Sequence, residues 1–243
     1  MIILKIEKLK RFQKCLLNNQ KFSTNMRNLF LLLSFCFVSF SIHSQKNSLL
    51  KPIKVGFLYN YGNERNFIFD DLDYYYTTTT FKAQAFYQLG TWKSFNLELI
   101  VQPQVQQLRH QLLNEQFVTP EEENYLEKRE RFTKLKTMRL YAFELGFSAK
   151  KEISKKLDFN ITIGLGLASI DTETERLAKG FTFIENGSLG FSYKTSNTTT
   201  LYLGTNFGHI SNLNFKSPND GYNILGIEVG VSYKLKSYFP KVQ

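Results

Sequence analysis

The sequence predicts an all-β protein: an eight-stranded antiparallel outer-membrane β-barrel with short periplasmic turns and longer outer loops. Three observations carry this reading. Apolar and polar residues alternate in eight segments, near 53–60, 79–89, 94–105, 137–149, 156–169, 180–193, 199–211 and 222–235, and such alternation marks strands with two unlike faces. The segments run to about 9–14 residues, the length of a tilted membrane crossing, and an even count lets the sheet close without a free edge. The connections alternate between long and short. A soluble sandwich also alternates, so strand length, strand number and the export features below are what favour the barrel over it.

The first 44 residues differ from the rest. Residues 29–42 are almost unbroken apolar sequence, preceded by Lys21 and Arg27 and followed by Ser44-Gln45. A short apolar run with a basic flank and a small residue after it is a secretory signal, too short for a confident membrane helix. The expected organisation is a presequence over 1–44, with the signal over 26–44 starting at Met26, and a single barrel domain over 45–243. The chain carries 31 basic and 21 acidic residues, but seven of the basic and one of the acidic lie in the presequence, which leaves 24 against 20. The basic character is therefore mostly presequence, and nucleic acid is not an indicated partner. Cys15 and Cys36, the two cysteines, leave with it, so the exported chain needs neither disulfides nor a thiolate metal site.

Within the barrel domain, Phe95, Leu97, Leu99 and Val101 alternate with Asn96, Glu98, Ile100 and Gln102. Tyr141 to Phe147, Leu157 to Leu167 and Leu225 to Tyr233 repeat the pattern, with Gly, Ser, Thr, Asn or Glu on the second side. The apolar side suits lipid, and the small or polar side suits a narrow barrel interior. Inward Lys82, Glu98, Glu144 and Glu228 are expected to form a charge network, because buried charges need partners. Long loops over 61–78, 106–136, 170–179 and 212–221 follow the odd strands, which puts them outside. Short turns at 90–93, 150–155 and 194–198 face the periplasm. Tyr87, Trp92, Phe147, Phe159, Tyr193 and Tyr233 cluster near the short turns as an interfacial girdle. In the longest loop, Thr119-Pro120-Glu121-Glu122-Glu123 predicts a helix N-terminus with Pro at its first position, and a surface helix through about Arg131. His110 is expected in solvent in that loop.

The seventh segment ends in Gly208-His209-Ile210-Ser211-Asn212. His209 and Ser211 are two apart and share a face, the one that carries Leu201, Leu203, Thr205 and Phe207. A base beside a hydroxyl nucleophile is the start of an acyl-transfer site. On the lipid-facing wall at the outer end, few soluble substrates reach it.

The run His209-Ile210-Ser211-Asn212, followed by Pro218-Asn219-Asp220-Gly221 and Asn223, resembles the lipid A 3-O-deacylases, eight-stranded outer-membrane barrels with a His-x-Ser-Asn motif followed by an Asn-x-Gly motif. The motif resemblance covers about 206–235; elsewhere the likeness is one of architecture. It implies a carboxylic ester hydrolase acting on an ester-linked acyl chain of lipid A in lipopolysaccharide. In it Ser211 would be the nucleophile, His209 the general base, and Asn212 and Asn219 candidates to stabilise the oxyanion. It makes the membrane and its outer-leaflet lipopolysaccharide the partners; the sequence shows no phosphate-binding glycine loop, no zinc spacing and no cofactor motif, so no cofactor or metal is expected.

The chain departs from the family pattern at Asn223, where the family has Glu. Asn223 shares the outward parity of Leu225 and Ile227, so the β-hairpin sets it opposite His209. An amide can fix an imidazole's tautomer but lends it no charge. Glu228 has inward parity and is excluded from this role. Glu185, outward on strand six with Phe183 and Leu189, is the alternative acid. Asp70, Asp71 and Asp73 read as surface charge, and Arg65, Lys134, Arg176 and Lys216 as rim cations that suit lipid phosphates. Two other readings stay open: a non-enzymatic small outer-membrane barrel, structural or adhesive, that retains the fold, and a secreted soluble β-protein.

Overall fold

The computed structural model describes residues 51–63 and 72–235. The expected signal segment and Arg65, Asp70 and Asp71 lie outside the described residues. Eight antiparallel strands close into one ring, in chain order: β1 (Lys54–Asn63), β2 (Tyr74–Trp92), β3 (Phe95–Leu112), β4 (Lys136–Glu152), β5 (Leu157–Ile170), β6 (Gly180–Lys194), β7 (Thr199–Ser211) and β8 (Tyr222–Lys234). A 3-10 turn at Glu115–Phe117 and one helix, α1 (Tyr125–Phe132), lie between β3 and β4.

The two faces follow the sequence parity. Outward side chains stay exposed, among them Phe143 at 53%, Ile163 at 64%, Leu203 at 60% and Ile227 at 63%. This is the apolar wall that lipid would cover. The girdle residues near the short turns lie on the same wall, with Phe159 and Phe191 paired across β5 and β6 at 5.5 Å.

The interior has two layers. In the middle, Glu144 accepts hydrogen bonds from Gln102 (3.0 Å), Gln104 (2.7 Å), Asn186 (2.7 Å) and Lys82 (3.2 Å). Lys82 also lies 4.0 Å from Glu228. Glu98 forms a separate group with Lys54 at 2.8 Å and Lys150 at 3.8 Å. A Cβ on Gly164 would sit 2.0 Å from Glu144 Oε1, so this inward glycine makes room for the carboxylate. Toward the outer end the interior is apolar instead: Leu108, Leu112, Met138, Leu140, Ile170, Ile184, Ile210 and Ile224 form one buried cluster with Tyr74 and Tyr76. The expectation of a small, polar filling holds only for the middle layer. β2, β3 and β4 are the longest strands, at 19, 18 and 17 residues, and their outer ends carry much of this apolar layer.

Two expectations are corrected. β3 continues to Leu112, so His110 is a strand residue only 4% exposed, not a solvated loop residue. Gln106, Leu108, His110 and Leu112 keep inward parity, but Gln and His among them mask the strand. The helix begins at Tyr125 rather than near Pro120. Thr119 to Glu122 forms a turn of its own, with the Glu122 N–H donating to the Thr119 carbonyl at 3.0 Å and Thr119 N–H donating to Glu122 Oε1 at 3.2 Å. Asn124 then enters the helix in the left-handed region, at φ 57°.

Candidate active site

β7 carries the site to the outer end of the wall. Leu201, Leu203 and Phe207 are exposed, while Asn206 and Ile210 are buried inside. His209 continues the outward row and is half-buried. Ser211, last in the strand, is 7% exposed, so it does not face lipid as openly as its parity implies. The chain doubles back there: Phe215 lies 6.0 Å from the ring of Phe183, the register partner of Ser211 on β6. Thr182 Oγ1 donates to the Ser211 carbonyl at 2.8 Å and fixes the strand end.

Register places His209 between Glu185 on β6 and Asn223 on β8. The imidazole's hydrogen bond goes to Asn223: His209 Nδ1–H donates to Oδ1 at 2.7 Å. An amide oxygen only accepts, so this bond keeps the proton on Nδ1 and leaves the Nε2 lone pair available as a base. Tyr76, from β2, donates its hydroxyl to the Asn223 carbonyl. Glu185 is exposed on the wall, and no bulge between β6 and β7 turns it inward. Glu228 is 2% exposed and points into the barrel.

The two motif asparagines shape the loop after β7. The Asn212 N–H donates to Asn219 Oδ1. Asn212 Nδ2 donates to the carbonyls of Lys216 at 2.7 Å and Pro218 at 3.3 Å. Asn219 Nδ2 donates to Asn214 Oδ1 at 3.1 Å. Asn212 therefore commits both side-chain hydrogens to the loop, and Asn219 one of its two. Gly221 closes the loop at φ 65°, where an L side chain is strained. A Cβ there would lie 2.4 Å from the Ile210 carbonyl oxygen and 3.3 Å from both His209 Cε1 and Ser211 Cβ. The missing side chain is what keeps the space between imidazole and serine open.

The preceding outer loop braces this turn. Its Arg176 carbonyl accepts from the N–H groups of Asp220 (2.8 Å) and Gly221 (3.1 Å), and Ala178 N–H donates to the Pro218 carbonyl at 3.0 Å. Leu177 bridges Asn219. Arg176 itself stacks over Tyr74 at 3.7 Å rather than standing free at the rim, and Lys134 pairs with Glu130 at 2.7 Å. Lys216 is exposed beside the site. Tyr76, Thr182 and Arg176 carry no motif signal; only the closed ring and loop pairing bring them here. Among the described residues, no group of three or more His, Cys, Asp or Glu is arranged to hold a metal ion.

The family model described as lipid A 3-O-deacylase (PagL) matches residues 73–232, which span β2 to β8 and every residue of this site. The chain belongs to that family. The crystal structure of the outer-membrane enzyme PagL has the same fold, with a TM-score of 0.50 at 11% identity over 72% of this chain and 97% of that one. Neisserial surface protein A (TM-score 0.43, 13% identity, 75% of this chain and 96% of that one) is a more remote likeness. OprG of Pseudomonas aeruginosa is another (0.42, 9%, 77% and 98%). No curated protein sequence matches the chain. The residue that hydrogen-bonds His209 in this chain is Asn223.

Proposed function

We propose that the protein is an outer-membrane esterase that hydrolyses an ester-linked acyl chain of lipid A. The observation that carries this reading is the His209–Asn223 hydrogen bond of 2.7 Å on the lipid-facing wall, with Ser211 two residues along the same strand. Family membership supplies the substrate class.

In the proposed reaction, Ser211 Oγ attacks the acyl carbonyl carbon while His209 Nε2 takes the hydroxyl proton. Asn223 holds the ring in the tautomer this requires. The tetrahedral intermediate expels the sugar oxygen, which receives the proton from His209, and the acyl chain is left on Ser211. Water, deprotonated by His209, attacks that ester; Ser211 Oγ leaves, taking the proton back from His209, and the fatty acid is released. Asn212 and Asn219 serve the oxyanion chiefly by holding the turn beside Ser211, and Asn219 retains one amide hydrogen to donate. One such donor contributes about 10²–10³ in rate. Glu185, exposed one strand away, is the reserve carboxylate for the imidazolium.

Mass spectrometry of lipid A from Gram-negative cells with and without the protein tests the reading. The expected result is loss of one acyl mass with the wild type and none with Ser211→Ala. Identical acyl patterns with wild type and empty vector, or a Ser211→Ala pattern equal to wild type, would overturn it. Asn223 favours one second reading, a barrel that kept the fold without the activity.

A further inference from the structure

Glu175 is a loop residue, yet it is 7% exposed. Its Oε1 lies 3.1 Å from Nε2 of His110, itself 4% exposed on β3. Neither carboxylate oxygen has a hydrogen-bond partner beyond that contact. Burying a carboxylate with so few partners is costly, although the Lys136 ammonium also interacts with its charge, and what it fixes is a short hydrogen-bonded segment. Thr174 Oγ1 accepts from the N–H groups of Arg176 (3.1 Å) and Leu177 (2.8 Å), and Thr174 N–H donates to the Leu177 carbonyl at 2.9 Å. The next residue, Arg176, offers the carbonyl that receives the Asp220 and Gly221 N–H groups. Gly221 borders the space between His209 Cε1 and Ser211 Cβ.

We propose that Glu175 is a positioning residue for the reaction at His209 and Ser211: by anchoring segment 174–178 to His110 on β3, it sets the Arg176 carbonyl and through it the place of Gly221. Release of the anchor lets the Arg176 carbonyl and Gly221 shift together. The gap between base and nucleophile then changes, while the ring of strands stays paired. The kinetic part rests on the deacylation proposed above.

The test uses the full-length protein refolded in detergent micelles, with lipid A as substrate and with histidine labelled with ¹³C at Cε1. Glu175→Ala is expected to keep its β-sheet circular dichroism and to lower kcat about tenfold to a hundredfold, as small misplacements do. KM should change far less, and the His209 Cε1 resonance should move. Glu175→Asp, shorter by one methylene, should lower kcat several-fold and shift the same resonance in the same direction; it carries the test where the alanine variant does not fold. Glu173→Ala is the control, because Glu173 is a surface carboxylate paired with exposed Arg131 at 3.3 Å, and it should match wild type. A folded Glu175 variant with wild-type kcat and resonance, or an equal loss in Glu173→Ala, overturns the proposal. A wild type that does not deacylate lipid A would defeat the proposed reaction instead, and the His209 resonance alone would then decide the positioning role.

Discussion

At the scale of single residues, Asn223 is decisive. Its amide oxygen fixes the His209 tautomer at 2.7 Å, but it offers no negative charge to the imidazolium that would form in the proposed attack by Ser211. A carboxylate does both. Asn223→Ala should therefore lower kcat about tenfold to a hundredfold, at or below the lower end of the roughly 10²–10⁴-fold that a positioned general base contributes. Asn223→Glu should raise kcat above wild type. Steady-state kinetics on lipid A checks both, and an inactive wild type revived by Glu identifies a barrel that kept the fold and lost the chemistry. Gly221 illustrates the same sensitivity in backbone form, since any Cβ there meets the Ile210 carbonyl at 2.4 Å.

Among the elements, the strands differ in what they carry. β7 and β8 place the site, whereas β2 to β4 supply most of the polar middle layer. Lys82 is the cation there, 3.2 Å from Glu144 and 4.0 Å from Glu228. Those carboxylates are 1% and 2% exposed. Lys82→Ala would leave both acids buried without a cation, a change that costs about 3–5 kcal/mol. Urea unfolding of the refolded protein is expected to show it. Lys134→Ala, which breaks only the exposed pair with Glu130, should leave the urea midpoint unchanged. The outer loops are elements too: 171–179 and 212–221 hydrogen-bond each other and thereby fix Gly221 beside His209 and Ser211.

On the scale of the whole molecule, closure removes every sheet edge and leaves an apolar outer surface around a polar middle. That arrangement is stable where hydrocarbon surrounds it. Leu203, 60% exposed and central in β7, tests the wall. Leu203→Arg should destabilise the barrel in phospholipid vesicles by about 2–4 kcal/mol, as measured by equilibrium unfolding from the bilayer. An unchanged free energy would show that lipid does not cover this face. The same wall suits the proposed esterase site at its outer rim, where a lipid ester would approach Ser211 from the leaflet without being extracted.

The sequence by itself determined the strand count, the parity of each face, the long and short connections, and the motif that joins His209, Ser211, Asn219 and Asn223. These are local properties, because a period of two and the chemistry of a few side chains are written in consecutive residues. Parity also settled that Glu228 points inward. The tertiary structure alone decided the rest. His110 became a buried strand residue because an inward row containing Gln and His still continues the strand. Ser211 lost most of its exposure because the following loop folds back over it. Arg176 and Tyr76 reached the site from loops and strands distant in the chain. Such contacts depend on register and ring closure, which set distances between residues that no periodicity relates.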